Sequence, residues 1–182
     1  MGDRRKEKVG SIAWRKKAAK EIKNWSEQVL EKPSSHFNGL PPCPFARKAW
    51  AQESVKIDFG NSETVTKHCN NWDEKIELLI VIAENWNFDD LEKWCEEKNE
   101  DICKDDLTIM AFVPDENSQD TGQPIEEQEN WDSLIEEPYA MIFIQRLSLV
   151  NTASEKLENK GYYKNCTAEF LEYVFQRRNR TQ

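Results

Sequence analysis

The sequence predicts an α/β protein, a small three- or four-stranded sheet covered by helices, with an amphipathic helix at the N-terminus. Three observations predict it. Stretches with an apolar repeat of three to four residues alternate along the chain with short apolar or alternating runs, which is the pattern of βαβ units. The chain has 182 residues, one domain's worth at roughly 100–200 residues per domain. Only 38% of residues are apolar, but seven Trp and eight Phe are among them, large side chains of the kind a disordered chain lacks. A ferredoxin-like α+β arrangement is the alternative.

The elements follow in order. Residues 1–10 read as a flexible basic terminus, and 11–182 as a single domain. Trp14, Ala18, Ile22, Trp25 and Val29 recur at steps of 4, 4, 3 and 4, one face of a helix from Ile12 to Glu31. Ser11 suits its N-cap and Pro33 its stop. A Pro- and Ser-rich loop over 32–42 leads to Cys43-Pro44-Phe45-Ala46. Pro is favoured at the first position of a helix, where its missing N–H needs no partner. Cys43 is therefore expected as an N-cap and Pro44–Ala51 as a short helix.

Val55–Phe59 alternates apolar and polar, a half-buried strand. Val65, Cys69 and Trp72 mark a helix, and the continuous run Leu78–Ala83 is the best central strand. Asn87 can cap a helix whose stripe is Phe88, Leu91, Trp94 and Cys95, and Leu107–Val113 is a further strand. Residues 114–137 are an acidic, turn-rich loop. Next, Phe143, Leu147, Val150, Ala153 and Leu157 recur at 4, 3, 3 and 4, predicting one long helix from Pro138. A strand followed by a helix is the alternative for the apolar run Tyr139–Val150, and would complete a four-stranded sheet. The last helix runs from Thr167 to Arg178, with Phe170, Leu171, Val174 and Phe175 inward.

The net charge of −9 conceals a division. Residues 1–24 carry +6, residues 25–83 −2, residues 84–137 −16 and residues 138–182 +3. Duplex affinity rests on cations that neutralise phosphates, so nucleic acid is unfavoured as a partner except through the basic N-terminal helix. The acidic loop would suit a basic protein partner. The longest apolar run, Leu78–Ala83, falls far short of the roughly 20 residues of a membrane span. No apolar stretch follows Met1 that would read as a secretion signal. Five cysteines, an odd number with no CxxC pair, suggest reduced thiols in a cytosol. Glycine-rich phosphate loops and a G-x-S-x-G elbow are absent from the sequence. No cofactor is implied, and no metal: His36, Cys43, His68, Cys69, Cys95 and Cys103 lack zinc-ligand spacing.

Cys43 is the candidate for chemistry. A thiolate at a helix N-terminus is stabilised by free N–H groups and the positive end of the dipole. Arg47 and Lys48 in the first turns would lower the thiol pKa further, and His36 in the preceding loop could approach as a base. The reading is a thiol-dependent enzyme or redox protein. The competing reading is a non-catalytic interaction module that uses the acidic loop 114–137 or the basic N-terminal helix.

The segment Pro42-Cys43-Pro44-Phe45-Ala46 resembles an uncharacterised bacterial family with a Cys-Pro-Phe-Ala signature, a domain of unknown function. The likeness runs in order over residues 20–160. It takes in Trp25, Leu78–Ala83, Phe88–Glu97, Phe112-Val113-Pro114-Asp115 and Pro138-Tyr139-Ala140-Met141. This chain departs at Glu136-Glu137, where the family tends to have Arg-Ser, and at Val113, where it has His. The resemblance implies a pocket that gathers Pro44, Phe45, Phe112, Pro114, Asp115, Pro138 and Tyr139 near Cys43. It implies no reaction, because the family has no established activity.

Overall fold

The computed structural model describes residues 8–84, 86, 91–114 and 139–180. Helix α1 (Ile12–Trp25) passes into a π-helical turn (Ser26–Leu30). Then come α2 (Ala46–Ala51), β1 (Val55–Gly60), α3 (Ser62–Asn70), β2 (Leu78–Ala83) and α4 (Leu91–Ile102). The strands β3 (Leu107–Phe112) and β4 (Met141–Arg146), and the helices α5 (Leu147–Glu158) and α6 (Ala168–Asn179), complete the order.

The four strands form one mixed sheet in the order β1-β2-β4-β3. β1 and β2 are parallel, and β4 lies antiparallel between β2 and β3. The α/β reading therefore holds, with four strands. The element order differs from the β-α-β-β-α-β of a ferredoxin-like fold, so that alternative is not what the chain adopts.

Alternation along the strands sends side chains to two layers. Ile80, Ile82, Met141 and Phe143 meet Ala18, Ile22 and Trp25 of α1. Leu79, Val81, Ile142 and Ile144 meet Val65 and Cys69 of α3 and Leu91, Cys95 and Ile102 of α4. The α1 face is the one expected from the sequence, and Ser11 caps it, its Oγ accepting from the Trp14 N–H at 3.2 Å. A third, smaller cluster joins the 34–42 loop to the C-terminal helices through Phe37, Leu157 and Tyr162.

Three expectations need correction. The long helix from Pro138 is instead β4 followed by α5, the alternative reading. Met141, Ile142, Phe143 and Ile144 are all buried, because β4 is central and covered on both faces. Such a strand shows no alternation, so the repeat at Phe143 and Leu147 belongs to two elements. On α6, Leu171 and Phe175 are exposed, whereas Val174 and Arg177 face inward. The short helix begins at Ala46, with Phe45 as its cap. Cys43 instead closes the preceding turn, its carbonyl accepting from the Ala46 N–H at 3.2 Å, since a residue before proline is driven out of the helical region.

Two local devices fix the frame of the sheet. Gly60 ends β1 against the capping box of α3, in which Asn61 Oδ1 accepts from the N–H groups of Glu63 and Thr64 and Thr64 Oγ1 accepts from Asn61 N–H. A Cβ on Gly60 would stand 2.1 Å from Thr64 Oγ1, so any other residue there must displace the Thr64 side chain. On the far edge, buried Asn99 of α4 accepts from Ile109 N–H and donates to Ile109 C=O, both at 2.8 Å. It thereby closes that stretch of the unpaired side of β3.

Candidate functional site: a pocket walled by Cys43

A π-helical turn widens the end of α1. Glu31 N–H reaches back five residues to Ser26 C=O at 3.0 Å, and such turns recur at functional sites. The widening places Ser26 and Glu31 inside the protein. Ser26 Oγ accepts from the Trp50 indole N–H at 2.9 Å and donates to Glu31 Oε1 at 3.2 Å, and Arg47 Nε meets Glu31 Oε2 at 3.2 Å. This chain of bonds ties α1 to α2. The chain then returns along the same end, Cys43 N–H donating to Leu30 C=O at 2.9 Å. Tyr162 OH bonds Pro42 C=O.

Between these elements and the sheet lies a mostly apolar pocket of about 80 Å³. Its walls include Trp25, Leu30, Cys43, Phe45 and Trp50, and Ile80 and Phe143 of the sheet also line it, with Glu77 and Gln145 among its polar members. Two features of its walls bear on function. Trp25 is 7% exposed and its indole N–H has no acceptor among the described residues. Cys43 is half-buried, in surroundings that favour the thiol over the thiolate. Desolvation pushes its pKa up, the N–H groups of Phe45 and Ala46 pull the other way, and the Glu31 carboxylate adds to the rise.

The expected helpers of Cys43 do not gather around it. Arg47 pairs with Glu31, so its charge is spent on a carboxylate, and neither Arg47 nor Lys48 lines the pocket. The expected lowering of the thiol pKa is thus reversed, because burial and Glu31 outweigh two N–H groups. His36 stands with its ring edge-on to Phe37, 5.0 Å between centroids, and is not a pocket residue.

Of the expected pocket set, Phe45 lines the cavity and Pro44 adjoins it in sequence. Phe112 touches it indirectly, its ring 4.4 Å from that of Phe143. Tyr139 lies at the opposite end of the same sheet face. It packs edge-on against Trp14 at 5.6 Å and its hydroxyl bonds Glu21. Gln145 is six positions further along this extended segment, about 20 Å at 3.3 Å per residue, and Tyr139 does not line the Cys43 pocket. Pro114 follows Phe112 at that same far end. Asp115, Pro138 and the body of the acidic loop lie outside the described residues.

Ser26, Glu31, Trp50 and Gln145 were not singled out from the sequence. Nothing in the apolar repeat of α1 marks a π turn, and only that turn swings Ser26 and Glu31 inward. Elsewhere, Cys69 and Cys95 pack in the core, where burial pushes their thiols up to about 11 and about 12. Among the described residues no group of three or more His, Cys, Asp or Glu is placed to hold a metal ion. No helix among them is long and apolar enough to cross a membrane. No family model, no curated protein and no solved structure matches this chain.

Proposed function

We propose that this protein binds a small, largely apolar molecule carrying one hydrogen-bond acceptor, in the pocket between the π turn, α2 and the sheet. The observation that carries the reading is a mostly apolar pocket walled by Trp25, whose indole N–H has no acceptor among the described residues. Small-molecule sites combine such walls with a few polar groups that fix orientation, and a buried donor without an acceptor is unfavourable until a ligand supplies one. The size suits a single ring or a short acyl chain, since one water needs only about 10–15 Å³ on the same measure. The neutral Cys43 thiol serves as wall. The five free thiols fit a reducing compartment such as a cytosol.

Titration of tryptophan fluorescence with benzyl alcohol and with toluene tests this, because Trp25 and Trp50 both line the pocket. Benzyl alcohol should bind roughly fivefold tighter, as one net hydrogen bond of about 1 kcal/mol provides. That preference should vanish in Trp25→Phe, and both probes should be excluded by Ala49→Leu. Equal response of the wild type and Ala49→Leu would remove the pocket from consideration.

A second reading is thiol-dependent chemistry at Cys43, favoured by the Phe45 and Ala46 N–H groups at its sulfur. Alkylation by iodoacetamide near neutral pH separates the two. Labelling slower than a free-thiol peptide, and slower still with benzyl alcohol present, belongs to the binding reading. Labelling faster than the peptide belongs to the second. The interaction-module reading keeps one observation: Lys16, Lys17, Lys20 and Lys23 are all exposed on α1.

A further inference from the structure

The end of α6 carries three arginines, Arg177, Arg178 and Arg180, the first two bonded to residues of α5. Arg178 is neutralised there, with Nη1 2.5 Å from Glu158 Oε2 and Nη2 2.8 Å from Ser154 Oγ. Arg177 is not. It is 5% exposed, its Nε donates to Asn151 Oδ1 at 3.2 Å, and its guanidinium lies 5.7 Å from the centre of the Tyr173 ring. Its Nη2 is buried and has no acceptor among the described residues. Arg180 Nη1 is buried in the same condition. Arg180 is the C-cap of α6 in helical geometry, three residues after Arg177, so both side chains leave one helix face.

A guanidinium taken out of water needs a counter-charge. The negative end of the α6 dipole and the Tyr173 ring offset part of the cost for Arg177. Neither gives its Nη2 an acceptor. We propose that Arg177 and Arg180 form an oxyanion site that takes a phosphate group of a small molecule. Guanidinium presents paired N–H donors to such a group. Two guanidinium charges with no carboxylate partner among the described residues match the charge of a phosphate monoester, about −1.5 to −2 near pH 7, better than that of one carboxylate. Asn151 positions Arg177, while Glu158 and Ser154 engage Arg178 alone. Arg180 is half-buried, so a rotamer change opens the site. None of these residues lines the Cys43 pocket.

Thermal unfolding of the full chain in inorganic phosphate tests the proposal, with sodium acetate and sodium chloride at matched ionic strength. Phosphate should raise the midpoint saturably, as a ligand of the folded state does, and the other two salts should not. Arg180→Gln removes a charge from the helix end and leaves buried Arg177 in place. It should weaken the phosphate affinity at least tenfold, and Arg180→Lys, which keeps the charge without the fork, by less. The Arg177 Nε–H resonance should move on phosphate addition in the wild type. An equal phosphate effect in Arg180→Gln, an equal effect of acetate, or no effect of phosphate overturns the site.

Discussion

Asn99→Ala should be among the most damaging single changes in this protein. Asn99 is 4% exposed and makes three bonds: with both backbone groups of Ile109 at 2.8 Å, and from Thr108 Oγ1 at 3.3 Å. Alanine leaves a buried N–H and a buried C=O without partners. Each such group costs about 1–3 kcal/mol, and the Thr108 hydroxyl can turn elsewhere, so the loss should be about 3–5 kcal/mol. That is a large part of the 5–15 kcal/mol typical of a domain. Urea unfolding gives the number, and amide exchange at Ile109 gives its location, with protection falling there more than in β2. Asn99→Asp adds a test with a sign. The protonated acid can donate to Ile109 C=O and the carboxylate cannot, so the folded pKa of the new side chain lies above its unfolded value near ~4. Its stability should be greatest below that value and fall as pH rises through the folded pKa. A loss under about 1 kcal/mol in Asn99→Ala, or a pH-independent Asn99→Asp, would refute the argument that this amide seals the edge of β3.

Other outcomes follow from the same geometry. Gly60→Ala should cost about 1–2 kcal/mol, because its Cβ displaces Thr64 from the α3 capping box; unfolding in urea reads it, and a neutral result would contradict the contact. Burial acts to raise the Asp58 carboxyl, but hydrogen bonds from His68 and the Phe59 N–H, with the charges of His68 and Lys56, hold it below the usual value. That stability is present above the unfolded pKa and lost as pH falls through the folded one. His68→Gln should let the Asp58 carboxyl titrate higher in a carbon-13 NMR titration. The cost at neutral pH should be under about 1 kcal/mol, since both side chains are partly solvated; an unmoved Asp58 would exclude the pairing. Glu31→Gln removes the carboxylate that helps to raise the Cys43 thiol, so alkylation of Cys43 at pH 8 should speed up, and an unchanged rate would remove Glu31 from that role.

Much of the fold was legible because one-sided elements carry a period. Ala18, Ile22 and Trp25 mark α1, and Leu78–Ala83 marks β2 to the residue. Failures fell where period and environment part company. β4 is covered on both faces, and its run MIFI carries no alternation to tell it from a helix. Leu171 and Phe175 continue a helical stripe that the fold leaves exposed. Of the site, Cys43 and Phe45 were readable from the unusual Pro-Cys-Pro-Phe order. Ser26, Glu31 and Trp50 were not, because they meet through a π turn and a contact 24 residues apart in sequence. Family resemblance places Tyr139 near Cys43, whereas the antiparallel course of β4 carries it to the other end of the sheet.

The position of β4 also bears on how the chain acquires its shape. The strand that joins β2 to β3 is the last of the four to be made, at Met141–Arg146. A nascent chain emerging from a ribosome can form β1-α3-β2 and α4-β3 early, yet the two parts share no ladder until β4 slides between them. Until then β2 and β3 each present an open edge, the surface from which strands mispair with other chains. Closure of this sheet is therefore an insertion between two parts, and it waits for Met141–Arg146.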